Sequence, residues 1–132
     1  MRPFFVIKYF IVHYSELRIY QIAKKLEQEL ERDLNKILFH WELGDVDQAK
    51  RSSSSSTTNI VEGHGRRFYV KDYIKFLNYS LASSDETQKH IHKLYTSHHL
   101  HKSKYEYFFR GYKDLSVRIL NYINWLRNNC YT

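Results

Sequence analysis

Histidines, carboxylates and serines are abundant enough in this chain to suggest chemistry, and their spacing decides whether they could perform it. There are eight histidines. His90 and His92 are two apart, so on a helix they diverge to different sides. His98, His99 and His101 crowd one short stretch, but no cysteine or carboxylate stands beside them at zinc-ligand spacing. They read as solvated turn histidines. A di-metal centre inside a helical bundle would need Glu-x-x-His pairs projecting inward, and none occurs. Gly63-His64-Gly65 lacks the spacing of a phosphate-binding loop and follows no strand. None of the serines sits in a nucleophile elbow. The single Cys130, two residues from the C-terminus, excludes an intrachain disulfide and is compatible with a reducing cytoplasm. These patterns predict no catalytic residue, no metal and no cofactor: a protein that is not an enzyme.

Basic side chains carry more signal. Lys and Arg number 21 against 14 Asp and Glu, a net charge of +7. Residues 99–132 hold six of the basic and only two of the acidic residues, more than half of that excess. Three clusters stand out: Lys50 with Arg51; Arg66, Arg67, Lys71 and Lys75; and Arg110, Lys113 and Arg118. Phe68, Tyr69 and Tyr107 are interleaved with them. Cations flanked by aromatic rings suit phosphate contact with occasional base stacking, which places nucleic acid ahead of membrane as a partner. A merely hydrated helical surface would have the same composition.

The elements that would position these residues follow from periodicity. At 132 residues the chain makes one domain, and one proline with four glycines suits long helices on short connections. Residues 1–14 are apolar and aromatic. Lys8 interrupts them, no small-residue cleavage site follows, and they are too short to span a membrane, so they read as an N-terminal arm of open role. A four-helix domain is predicted over 15–132. The first helix, about 15–39, is capped by Ser15 and carries Ile19, Ala23, Leu26, Leu30, Leu34, Ile37 and Trp41 inward. The second, about 45–62, contains the run Ser52–Ser56. Serines in series look like linker, but Asp45 with Gln48 reads as a capping box and Gly63 as a left-handed terminator, so the run is expected to be helical and largely buried. Its inward seam is Val46, Ala49, Ser53, Ser56 and Ile60. The third, about 69–97, is small in its middle (Ser80, Ala82, Ser83, Ser84), and the two small patches are expected to face each other. The fourth, about 103–127, opens on Ser103-Lys-Tyr-Glu106 and repeats Tyr105, Phe108, Tyr112, Leu115, Ile119, Tyr122 and Leu126. Together they predict an all-α, antiparallel, up-down-up-down four-helix bundle.

Two blocks within these helices resemble a known family. Gln48-Ala-Lys-Arg51, Ser55, Asn59-Ile-Val-Glu-Gly63, Gly65 and Arg66 form the first; Asp72-Tyr-Ile-Lys-Phe-Leu77, Ser83 and Glu86 form the second. Both are similar to the signature of bacterial four-helix bundle proteins known as 23S rRNA intervening-sequence proteins, over about residues 15–127. The chain departs from that pattern at Ser56, where the family has an apolar residue, at Ser80, where it has alanine, and at Ala82, where it has glycine. The resemblance implies a homo-oligomer, commonly a pentameric ring, without established enzymatic activity. It also relates the chain to the accessory variability proteins of diversity-generating retroelements, which bind RNA and a reverse transcriptase. It gives Ser55, Asn59, Glu62, Gly63, Ser83 and Glu86 structural roles, with Glu62 and Glu86 as polar anchors near the ends of the small seams. The function expected is a cytoplasmic, non-enzymatic oligomer that binds RNA or a nucleoprotein through its basic surface. The alternative is an assembly module that recruits a protein partner without touching nucleic acid. Tyr69, Tyr79, Tyr107, Phe109 and Trp125 fall off the inward stripes and are the aromatic candidates for contacts between subunits.

Overall fold

Four long helices account for most of residues 10–130, the part of the chain that the computed structural model describes. They are α1 (Arg18–Leu34), α2 (Gly44–Gly65), α3 (Val70–Thr96) and α4 (Lys102–Asn129), and no strand occurs among the described residues. Each packs against its neighbour in sequence, and α4 closes the bundle against α1. The run is antiparallel throughout: Ser52 meets Thr87 and Ser56 meets Ser80, Ser84 meets Ser116 while Tyr73 meets Tyr122, and Asp33 meets Lys104.

The three-four spacing of apolar residues positions the core as expected. Ile19, Ala23, Leu26, Leu30 and Leu34 of α1 are buried, as are Phe108, Tyr112, Leu115, Ile119 and Leu126 of α4. Gly111 brings α4 onto α1, since a Cβ there would lie 2.6 Å from Leu26 Cδ2. The serine run is helix, not linker. Val46, Ala49, Ser53, Ser56 and Ile60 all turn inward and are 2 % exposed or less. Serine competes for its own backbone and is a mediocre helix former, so packing must hold this helix. The packing is polar and paired. Ser56 Oγ lies 3.1 Å from Ser80 Oγ, and the Ser80 hydroxyl donates to the Ser56 carbonyl at 2.7 Å. Two of the three departures from the family pattern are therefore each other's partners across the seam.

The helix ends differ from the sequence expectation: α1 and α2 begin at Leu17 and Leu43 without a side-chain cap, and α4 is capped by a residue outside the local signature. Ser15 does not cap α1. It lies in a 3-10 turn, Tyr14–Glu16, and its N–H donates to His13 Nδ1 at 3.3 Å. The same device opens α4: Ser103 donates to His101 Nδ1 at 3.3 Å, so His101, not Ser103, is the cap. An imidazole nitrogen two residues upstream intercepts the amide that a serine-to-glutamate box would have used. Helix α1 stops at Leu34 rather than Phe39, because the i to i−3 bonds at Lys36 and Ile37 tighten its last turn and Phe39 adopts φ 56°. Trp41, expected inward, is consequently displayed in the connection at 69 % exposure. At α2 the cap is Leu43, without a side-chain bond, and the Asp45 carboxylate is drawn instead to His90. Gly63 is not a left-handed terminator. It stays helical and buried, and a Cβ there would meet Phe76 Cβ and Tyr73 Cδ1 at 3.1 Å each, so its role is close approach of α3. The helix runs on to Gly65.

Candidate nucleic-acid interface

The α2–α3 connection lies at one end of the bundle, and Arg66, Arg67, Lys71 and Lys75 are gathered around it. Phe68 and Tyr69 stand between them at 65 % and 74 % exposure, among the most open aromatic rings of the described residues. The arginines are oriented by rings as well as by oxygens. Arg66 donates to Glu62 Oε2 at 3.0 Å and lies 4.4 Å above the Phe76 ring; the Arg67 guanidinium lies 4.7 Å from the Phe68 centroid. Such stacking holds each guanidinium against an aromatic face and fixes its direction. Lys71 and Lys75 are one turn apart on the exposed face of α3.

The other basic candidates lie further along the molecule. Lys50 and Arg51 are sixteen and fifteen residues before Arg66, about 22–24 Å along α2. Lys50 donates to the Asn35 side chain, and Arg51 pairs with Asp47 at 3.0 Å. A shallow groove on α2 is lined by these two residues with Ser54, Ser55, Thr58 and Asn59. On α4, Arg110 and Lys113 are exposed and make no ion pair among the described residues, whereas Arg118 is held by Asp114 at 2.8 Å. Tyr122 of α4 lies beside Tyr73, so Lys113 sits about 14 Å from the α2–α3 end. The nine cations thus form one concentrated group and two separate pairs or triplets, not a single patch.

Ser55, Asn59 and Ser83 of the motif meet at the edge of the seam, beside Lys50 and Arg51. Ser55 Oγ is 2.9 Å from Ser83 Oγ, and Asn59 Nδ2 donates to the Ser55 hydroxyl at 3.1 Å and to its carbonyl at 2.9 Å. Glu62 is exposed and serves Arg66. Glu86 reaches the buried His90, whose Nε2 lies 3.4 Å from Glu86 Oε1 and whose Nδ1 lies 3.0 Å from Asp45 Oδ1. That bridge between α2 and α3 has no single sequence signature, because its members are far apart in the chain. Nor was His64 visible as anything but a turn residue. It is 4 % exposed, and burial with the nearby Arg67 and His13 charges lowers its pKa to about 4. The signal was present in the spacing: Ser53, Ser56, Ile60 and His64 continue one three-four stripe.

Among the proposed subunit contacts, Tyr69, Tyr79 and Tyr107 are exposed. Phe109 is half-buried, and Trp125 packs on the core with its ring 6.1 Å from Tyr122. No helix among the described residues is long and apolar enough to cross a membrane.

Architecture and seam together define an all-α protein of the antiparallel four-helix bundle class. Residues 15–121 match the 23S rRNA-intervening sequence protein family, and the chain belongs to it. A crystal structure of a protein of unknown function from the S23 ribosomal protein family of Bacteroides thetaiotaomicron has the same fold, with a TM-score of 0.69 at 20 % identity over 80 % of this chain and 97 % of that one. No curated protein sequence matches significantly.

Proposed function

We propose that this protein is a non-catalytic RNA-binding bundle whose principal contact surface is the α2–α3 end. The observation that carries the reading is the grouping of Arg66, Arg67, Lys71 and Lys75 around two open rings, Phe68 and Tyr69. Cations would hold phosphates and the rings would stack on unpaired bases, so binding is salt-sensitive and only weakly sequence-selective. The name of the family, which ties it to intervening sequences of 23S rRNA, supports RNA over DNA. Arg110, Lys113 and Arg118, with Lys50 and Arg51, extend the same surface when copies assemble. We propose self-association into a ring because Leu38, Phe39 and Trp41 are 78 %, 51 % and 69 % exposed at the opposite end, apolar area that can offset the repulsion between copies of charge +7. Repetition around an axis would multiply a modest affinity through effective concentration.

The test is anisotropy of a labelled single-stranded oligoribonucleotide across a salt series, with light scattering on the same samples. Replacing Phe68 and Tyr69 by alanine is expected to weaken binding by about 1–3 kcal/mol per lost stack. Replacing Lys75 by glutamine is expected to lower the salt slope by about one. No affinity at low salt would refute the RNA reading and favour recruitment of a protein partner; a monomer in solution would refute the ring.

A further inference from the structure

We propose that the segment Phe10–Tyr14 is a built-in cover for this RNA-binding end, competing with RNA for Arg67 and Phe68; the proposal rests on the RNA-binding reading above. Phe10 is 5 % exposed, and its ring lies 5.9 Å from that of Phe68 at 29°. The chain's own aromatic ring is therefore an offset neighbour of Phe68, on one side of a ring that otherwise stays 65 % exposed to an incoming base. Arg67 is tied up in the same place. Its Nε donates to the Phe10 carbonyl, and its Nη1 donates to the His64 carbonyl at 2.9 Å. Arg67 makes no ion pair among the described residues, in contrast to Arg66, which has Glu62. A carbonyl is neutral, whereas a phosphate oxygen adds opposite charge and can take two parallel N–H bonds from a guanidinium. The cover therefore holds the arginine with the kind of contact that an RNA backbone can displace.

Its seating is correspondingly imperfect. A groove of about 420 Å³, open to solvent, lies between Ile11–Tyr14 and Val61, His64, Gly65 and Arg67. His64 accounts for one ring nitrogen by donating to the Val12 carbonyl, but its Nε2 is buried without a partner. Ile11 contributes little to the contact, being 71 % exposed. Phe10 anchors the segment in the core, with Val12 and Tyr14 packed against it, while the solvent-facing groove and the orphaned polar atom beside it are marks of a segment that opens before the rest of the fold. The first long helix, α1, begins only at Arg18, beyond the segment.

Three proteins decide the matter in the anisotropy assay at matched salt: the full chain, the chain lacking residues 1–13, and the full chain with Phe10→Ala. Removal of the segment is expected to tighten RNA binding about five- to tenfold, the worth of one freed charge-assisted contact. Phe10→Ala is expected to give part of that gain. A peptide of residues 1–16 added in trans is expected to reverse it. Circular dichroism checks that the shortened chain folds; if it does not, Phe10→Ala and the peptide decide alone. Equal affinities for all three, or weaker binding without the segment, would overturn the cover and leave the RNA reading standing. No binding by any of them would overturn both.

Discussion

Leucine at position 80 is expected to lower the melting temperature by roughly 6–15 °C, and the reasoning exposes how the seam between α2 and α3 is held. Ser80 is fully buried, and its hydroxyl and backbone carbonyl both engage Ser56, at 2.7–3.2 Å. An isobutyl group has no room there, and overpacking of a filled site costs about 1–3 kcal/mol. Loss of the Ser80 hydroxyl removes about another 1 kcal/mol of hydrogen bonding. For a domain of this size each kcal/mol moves the midpoint by about 3–4 °C, which gives the stated range. Ser80→Ala is expected to behave differently. It loses the same hydrogen bond but gains about 0.5 kcal/mol in helix propensity, and Ser56 keeps the Ser80 carbonyl, so the net change stays within about 1 kcal/mol. Removing both hydroxyls in Ser56→Ala with Ser80→Ala is expected to cost no more than the sum of the single changes, because neither partner is then left unpaired. Thermal and urea unfolding would be followed at two protein concentrations, since self-association shifts the midpoint with concentration. A leucine variant that melts with the unchanged protein would refute close contact of the two helices at this level.

Two further outcomes follow from other sites. Gly63→Asn separates close packing from a left-handed cap: a cap tolerates asparagine, whereas the 3.1 Å approach to Phe76 and Tyr73 does not, so Asn and Ala are both expected to destabilise the fold in urea titrations. His64 makes stability depend on pH in a defined direction. Its folded pKa of about 4 lies below the ordinary 6.5, so the unfolded chain binds more protons in that window; stability is fully present above pH 6.5 and falls on acidification toward 4, by up to about 1.4 kcal/mol per pH unit, and His64→Leu is expected to flatten that part of the profile.

Periodicity alone determined that there are four helices and which stripe of each is buried; the serine run was read as helix from its flanks, Asp45 with Gln48 and Gly63, and is helical although neither flank acts as that reading had it. Those features depend on residues three and four apart, and such neighbours are held in the local chain. The basic group around Phe68 and Tyr69 was legible for the same reason, because the cluster is continuous in sequence. Tertiary structure decided what depends on side chains meeting across elements. His13 caps the 3-10 turn ahead of α1, Asp45 turns to His90 instead of capping α2, and His101 caps α4, in place of the serine and aspartate signatures at those places. Ser56 and Ser80 look like two separate losses of apolar core until the bundle brings them together as one hydrogen-bonded pair. Gly63 looks like a stop, yet only the arrival of α3 shows that its missing side chain makes room for Tyr73 and Phe76. The contact of Phe10 with Phe68 and Arg67 lies beyond any local pattern, since fifty-seven residues separate Arg67 from its carbonyl acceptor and only the closed bundle brings them into contact.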